Sequence, residues 1–498
     1  MTRYRHLITD ENRKWWTLGA MCFALFMIML DNTVVNVALP SIQRDLDASL
    51  SSLEWTVNGY TLSFAVLLAT GGRLGDIFGR RLMFLVGVVA FALSSATAGL
   101  APDTTSLVLS RVVQGVGAAL MMPATLSIVT DAFPPEERGK AMGTWAGVSA
   151  LALAVGPVLG GFLTEHVSWR AIFYLNIPVA VGAVAAALFA VRESRDTTVG
   201  RRVDFLGVAV LTAALTALVL ALVEGNAWGW GSPEIVALLV GSAVGLAAFV
   251  AIELRVQVPM VEFHFFADRN FLGAVVVALI VSFAMLGVFF FLALYLQNIL
   301  GYSALEAGVR FLPSTLMIVL VAPVAGRMAD RVGPRWLIAA GLAIVAASLY
   351  SFSGIAVDSS YGELLPGFML LGIGIALTMS PMTAAAMNAV AVEKAGIASG
   401  VLSMFRMVGG SLGVAVTGAI FQGAVGNPAT ATPTEFVDAL GYAMSISAAV
   451  ALGGAVVGAV AIRARHRAIP TPVAEAAASP GGEAIAGEAA PAGEPARG

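Results

Sequence analysis

The segment Gly72-Arg-Leu-Gly-Asp-Ile-Phe-Gly-Arg-Arg81 returns later in the chain as Gly326-Arg-Met-Ala-Asp-Arg-Val-Gly-Pro-Arg335. Each copy lies between two long apolar stretches and reads as a short charged loop. A charged segment repeated at matching places in two hydrophobic halves implies a duplicated membrane bundle. Many secondary transporters are built on that plan.

Composition agrees with this. The 498 residues are 58% hydrophobic and 12% charged, which is too apolar for a water-facing surface. Charge-poor runs of about 20 residues suffice to cross roughly 30 Å of hydrocarbon. Fourteen such runs are expected to span, at 16–39, 54–71, 82–100, 105–129, 141–163, 171–191, 205–223, 233–252, 271–294, 305–325, 336–355, 364–387, 395–421 and 436–462. The first copy of the repeat joins spans two and three, and the second joins spans ten and eleven. A shift of eight spans therefore pairs one to six with nine to fourteen and leaves seven and eight as an insert.

The fold expected is an all-α integral membrane protein with two pseudo-symmetric six-helix bundles plus two inserted helices. Its parts are an N-terminus (1–15), a first bundle (16–192), a linker carrying two extra helices (193–262), a second bundle (263–462) and a tail (463–498). The tail is rich in Ala, Gly, Pro and Glu. It buries too little apolar surface to offset its ordering entropy and is expected to be disordered.

Cations set the orientation. With the N-terminus in the cytoplasm, only Arg44, Arg170 and Arg310 of the 28 Lys and Arg lie towards the outside, while Arg111 and Arg406 lie deep within spans. That bias is what the positive-inside rule demands, and an even number of spans returns the C-terminus to the cytoplasm. The first span follows Arg13 and Lys14 but is too long for a signal peptide and has no small-residue cleavage site after it. Few Lys beside many Arg and Ala suggest a GC-rich bacterial genome, and hence a bacterial plasma membrane.

Cys22 is the sole cysteine, so no internal disulfide can form, and the four His have no metal-ligand spacing. No nucleotide-binding loop, nucleophile or metal cluster argues for an enzyme. No cofactor, metal or nucleic acid is expected. The partners expected are lipid, a small-molecule substrate and protons, and the protein is expected to act as a monomer.

Asp31 is the only acid deep in an expected span. Insertion scales put the cost of such a group at about 2.5–3.5 kcal/mol, so intramembrane acids are functional by default. Asn32 and Asn36 lie nearby and share a face at i, i+4. Arg111 in span four carries Gln114 and Gly115 on its face. An arginine does not titrate near neutral pH, but it can pair with an acid or order a substrate. Arg406, in the fifth span of its bundle, is the comparable charge of the second half. Asp31, Arg111, Asn32, Asn36, Gln114 and Arg406 are therefore the candidates for proton coupling or substrate binding. The plainer alternative is that these groups only tie helices together.

Span five ends Gly156-Pro157-Val-Leu-Gly160-Gly161. Pro157 removes a helical hydrogen bond, and the pairs Gly143/Gly147 and Gly156/Gly160 have the spacing that admits a close neighbour. Gly409 and Gly413 are the counterpart in the second half. In the repeated segment, Gly72, Arg73, Gly75, Asp76, Gly79, Arg80 and Arg81, with Asp131 and Asp330, form a candidate gate. Asp76 can face a helix N-terminus of the opposite bundle, and the arginines can reach Asp131 at the end of span four. The alternative is a plain cationic anchor.

These stretches resemble the major facilitator superfamily, and within it the fourteen-helix drug:proton antiporters. Gly72–Arg81 resembles its signature loop, Leu30–Pro40 its helix-one motif, Arg111–Gly117 its helix-four motif and Gly156–Gly161 its antiporter motif in helix five. The likeness runs over residues 16–462. It implies proton-driven export of drugs or antibiotics by alternating access. Relatives that export dications carry a second acid deep in a later helix. Here Glu306, Glu363 and Asp438 lie near span ends, so monovalent cationic or neutral amphipathic compounds are expected. Proton-coupled uptake, and export of a metabolite made by the cell, are the alternatives.

Overall fold

A computed structural model of the chain describes residues 9, 12–195, 203–257, 259–391, 394–426 and 431–463. Beyond Arg463 the expected tail lies outside the described residues. Sixteen α-helices and no strand are found among those described. They are α1 (Arg13–Asp45), α2 (Leu50–Phe78), α3 (Arg80–Gly99), α4 (Thr104–Ala132), α5 (Pro135–His166), α6 (Ala171–Tyr174), α7 (Asn176–Ala190) and α8 (Phe205–Trp228). After them come α9 (Pro233–Glu253), α10 (Arg269–Leu294), α11 (Ala304–Arg310), α12 (Leu312–Val332), α13 (Pro334–Phe352), α14 (Tyr361–Asn388), α15 (Ala395–Val425) and α16 (Pro433–Ala461). They make 14 spans long and apolar enough to cross a membrane. The protein is an all-α multi-pass membrane protein.

Two of the expected spans are each built from two pieces. Span six divides into α6 and α7 at Leu175, where Pro178 has no amide hydrogen for the Tyr174 carbonyl. Span ten divides into α11 and α12 at Phe311, with Pro313 in the same relation to Val309. Helix starts are marked by side chains that satisfy free amides. Ser49, Asp103 and Ser232 each accept from the residue three further on. Ser303 with Glu306, and Thr432 with Glu435, complete reciprocal capping boxes.

The repeated segment is not a loop. α2 stays helical through Phe78, Gly79 alone is non-helical, and α3 starts at Arg80. The second copy turns in the same way at Gly333, between α12 and α13. Gly79 and Gly333 have φ of 121° and 90°, a region in which a side chain is strained. Charge in the sequence marked the helix end too early, because nothing before Gly79 breaks the helix.

α2 packs against α4, α3 against α4, and α1 against α5 and α7, while α13 packs against α14 and α16, and α10 against α15. α8 pairs with α9 and also touches both α2 and α15. Glycines permit the closest crossings. A Cβ on Gly71 would stand 2.0 Å from the Ala119 carbonyl oxygen, and one on Gly409 or Gly413 would stand 2.2 Å from the Leu279 or Phe283 carbonyl oxygen.

The end of the molecule at Gly79 and Gly333 is called the motif end below. At the opposite, far end the set of helices α1–α7 and the set α10–α16 are drawn together. Gln297 Nε2 donates to the Val37 carbonyl at 2.8 Å, Asn298 Nδ2 to Gln43 Oε1 at 3.3 Å, and the Leu305 amide to Glu165 Oε2 at 2.9 Å. Towards the motif end, a Cβ placed on Gly139, Gly143 or Gly147 of α5, or on Gly396 or Gly400 of α15, would meet nothing within 4 Å. Gly143 and Gly147 therefore hold no close neighbour in this conformation, despite their spacing.

Candidate functional site

Asp31 on α1 and Arg111 on α4 are each 1% exposed. Arg111 Nη1 lies 2.5 Å from Asp31 Oδ2, an ion pair sealed inside the first set of helices. Gln114, one turn along α4, bridges the pair. Its Nε2 donates to Asp31 Oδ1 at 2.8 Å and its Oε1 accepts from Arg111 Nη1 at 2.8 Å. Arg111 Nε donates to the Thr56 carbonyl at 3.1 Å, and its guanidinium lies 4.3 Å from the centre of the Tyr60 ring. A neutral pair with its hydrogen bonds filled is tolerable in hydrocarbon. Removing one partner of such a pair typically costs about 3–5 kcal/mol.

Two members of this network went unnoticed in the sequence. The break at Leu175 starts α7 at Asn176, whose Nδ2 lies 3.4 Å from Asp31 Oδ1 and 2.9 Å from Ser95 Oγ. Ser95 Oγ donates in turn to the Phe173 carbonyl at 2.8 Å. The signal was a polar Asn two residues before Pro178 in an otherwise apolar span. Asp31 thus accepts from Arg111, Gln114 and Asn176, so α1, α4 and α7 converge on one carboxylate.

Asn32 and Asn36 do not join it. Asn32 Nδ2 donates to the Ile28 carbonyl at 2.9 Å and Asn36 Nδ2 to the Asn32 carbonyl at 3.1 Å, both along their own helix. Arg406 lies apart from Asp31, on α15, and its Nε has no hydrogen-bond partner among the described residues. Asp31 is not the only buried acid in a span, either. Glu54 on α2 is 0% exposed. The apolar run makes it the first residue of span two, but Ser49 starts the helix a turn earlier.

The helix-five glycines lie directly against the segment that carries Asp31. A Cβ on Gly156 would stand 1.8 Å from Thr33 Oγ1, and one on Gly160 would stand 2.9 Å from Val34 Cα. On the other side, a Cβ on Gly161 would meet the Ala304 carbonyl oxygen at 2.4 Å, and one on Gly308 the Pro157 carbonyl oxygen at 2.1 Å. α5 is therefore wedged between α1 and α11, with bare backbone on both faces.

At the motif end, Arg80 Nε and Nη2 donate to Asp76 Oδ1 at 3.2 and 3.0 Å, and Arg80 Nη1 donates to Asp131 Oδ2. Glu193 accepts the amides of Arg81 and Leu82 at 3.0 and 3.1 Å, capping α3, and Arg81 Nη2 donates to the Leu188 carbonyl. In this conformation Asp76 accepts from Arg80 of its own helix set, and no bond to a helix start across the molecule is found among the described residues. Gly72, Arg73 and Gly75 lie on the last turns of α2. The side chain of Asp330 lies outside the described residues.

Residues 21–414 match the model of the Major Facilitator Superfamily. The chain belongs to that family. This major facilitator protein is 38% identical over 417 residues to the tetracenomycin C resistance and export protein of Streptomyces glaucescens, covering 84% of the chain and 78% of the relative. It is 39% identical over 453 residues to the puromycin resistance protein pur8 of Streptomyces alboniger, covering 89% of each. It is 37% identical over 405 residues to the multidrug resistance protein Stp of Mycobacterium tuberculosis, covering 81% of the chain and 75% of the relative. Among solved structures, a bacterial homolog to the human lysosomal transporter Spinster, in an inward-facing and unoccupied conformation, superposes with a TM-score of 0.64. At 18% identity over 90% of this chain and 97% of that one, the likeness is one of fold. The protein is a membrane transporter and not an enzyme.

Proposed function

We propose that this transporter exports small amphipathic drugs or antibiotics, monovalent cationic or neutral, from the cytoplasm in exchange for protons. The observation that carries the proposal is the Asp31 carboxylate, buried in a span and held by Arg111, Gln114 and Asn176. A proton arriving on Asp31 Oδ2 removes the charge to which Arg111 is paired. Arg111 keeps its own charge and retains the Thr56 carbonyl and Gln114 Oε1. The ion pair between α1 and α4 is then lost, leaving the Gln114 bond to Asp31 Oδ1, and the movement of the loosened α1 passes to α11 through the wedge formed by α5. A cationic substrate competes with the proton for the same carboxylate, and occupancy by one excluding the other is what exchange requires. The names of the relatives support drugs or antibiotics as cargo. Because one of them joins resistance with export, a compound made by the cell itself is the second reading.

In this account residues 16–192 and 263–462 are the two bundles that rock around a central cavity. Both termini and the motif end face the cytoplasm of a bacterial cell, and the protein acts as a monomer. The bridges at the far end and the open glycines at the motif end then describe a conformation closed to the outside. Cation bias gives the orientation. In a variant lacking Cys22, a cysteine introduced at Ser232, the cap of α9, is expected to react with an impermeant reagent applied to intact cells. One introduced at Ala474 is expected to stay unreacted, and labelling there from outside would reverse the topology.

The Arg80 clamp on Asp76 and Asp131 holds the motif end in its present form, and Asp76 changes partner when that end closes. Asp76→Asn is therefore expected to slow transport about fivefold, the effect of roughly 1 kcal/mol on a two-state ratio. Membrane abundance should stay near normal. Full transport by a well-expressed variant would leave Asp76 as an anchor only. The transport mode itself is tested in vesicles holding the purified protein under an imposed pH gradient. Uphill movement of a fluorescent amphipathic cation, against the direction of proton flow, is expected. Movement with the protons marks an importer, and movement that ignores the gradient marks a channel.

A further inference from the structure

Glu54 lies where the two sets of helices meet, in the half of α2 nearer the far end, and the exchange mechanism does not use it. Its side chain is fully enclosed. Gln422 Nε2 of α15 donates to Glu54 Oε1 at 3.1 Å, and Glu54 Oε2 has no hydrogen-bond partner among the described residues. The carboxyl rests on bare backbone, because a Cβ on Gly418 would stand 2.1 Å from Oε1. One turn along α2, Ser411 Oγ lies 2.9 Å from Asn58 Oδ1, again across α15 and α2. The seam is thus lined by polar groups, and its acid has one oxygen left over.

The charged groups around it do not neutralise it. From α15 the amide of Gln422 donates to it and the backbone of Gly418 lies against it. On α4 and α1, Arg111 and Asp31 are paired with each other. A second acid stands at the same seam: Glu224 of α8, a helix that packs against both α2 and α15. Glu224 is half-buried beside Trp55. Two residues on, Asn226 Nδ2 donates to the Ala419 carbonyl of α15 at 2.7 Å, and Trp230 Nε1 donates to Asn226 Oδ1 at 3.0 Å. α8, one of the two extra helices, therefore covers the seam and brings a like charge to it. An ionised carboxylate buried beside another acid with no cation is strongly disfavoured.

We propose that Glu54 is a second proton-binding site, separate from Asp31, and that a proton on Oε2 is what allows α2, α15 and α8 to close the far end. When the seam parts, water solvates the carboxylate and the proton leaves. Closing takes up a proton, so the closed form is favoured at low pH and gives way as pH rises. The proton enters and leaves by the far end. It sets the pH dependence of closing without adding to the number of protons exchanged per substrate. The proposal rests on the alternating-access reading above, and its test needs neither substrate nor gradient, so the two fail separately.

The test is the distance between spin labels on Gln43→Cys and Asn298→Cys, at the far-end bridge, in purified protein lacking Cys22, measured between about pH 5 and pH 9. The short distance is expected to dominate at low pH and to become the minor population at high pH. Glu54→Gln keeps an acceptor for Gln422 and needs no proton, so its short distance should persist across the range. Glu224→Gln leaves Glu54 in place and removes the like charge that favours its protonation, so opening should set in at lower pH. A distance distribution independent of pH in the parent, or the same pH dependence in Glu54→Gln, would overturn the proposal.

Discussion

Asp31→Asn is expected to abolish gradient-driven export while the protein still folds and inserts. The amide keeps an oxygen for Gln114 and Arg111 but cannot bind and release a proton. The electrical part of the gradient supplies about 2.3 kcal/mol per charge per 100 mV, and without a group that carries the proton none of it reaches the substrate. Asp31→Glu, which keeps the acid but moves it by one methylene, should retain part of the rate. Vesicles loaded with each variant and given the same pH gradient measure this. Uphill transport by Asp31→Asn at the parental rate would remove Asp31 from the coupling role.

Gly308→Ala is expected to lower export about tenfold without a matching loss of protein. The new methyl would stand 2.1 Å from the Pro157 carbonyl oxygen, between two backbones that have no side chain to rotate away. Overpacking of this kind costs about 1–3 kcal/mol. Because the contact joins α11 to α5 at the far end, that cost falls on the closed conformation and shifts the two-state ratio towards the open one. Gly161→Ala presses on the Ala304 carbonyl oxygen at 2.4 Å from the other side of the same crossing and should act alike. Gly143→Ala, where a Cβ would meet nothing within 4 Å, is the control. Equal loss in Gly308→Ala and Gly143→Ala would mean that helix propensity, not the crossing, sets the effect.

The spans and the repeated segment were legible because hydropathy and charge are local properties. Asp31 and Arg111 could be picked out singly, since a charge in an apolar run stands out. That they meet, and that Gln114 bridges them, depends on how α1 and α4 face each other, which no run of residues states. Asn176 was hidden by the same averaging that finds spans, because one Asn barely lowers the apolarity of residues 171–191. Its role comes from the break that Pro178 imposes. Glu54 was lost for the opposite reason. A charge at the edge of an apolar run reads as the end of a span, although Ser49 caps α2 at Leu50 and carries the acid a full turn inside. On the same ground the charges of the repeated segment read as a loop, whereas its single-glycine turn is a property of the backbone.

The proposed exchange requires substrate and proton to compete for Asp31, which is measured by the protons released when substrate is added to purified protein in weakly buffered solution. A fluorescent amphipathic cation that binds the parent is the probe, and a pH indicator reads the release. Release on binding is expected from the parent, and none from Asp31→Asn at a probe concentration that saturates both. Equal release from Asp31→Asn, or none from a parent that binds the probe, would contradict the account.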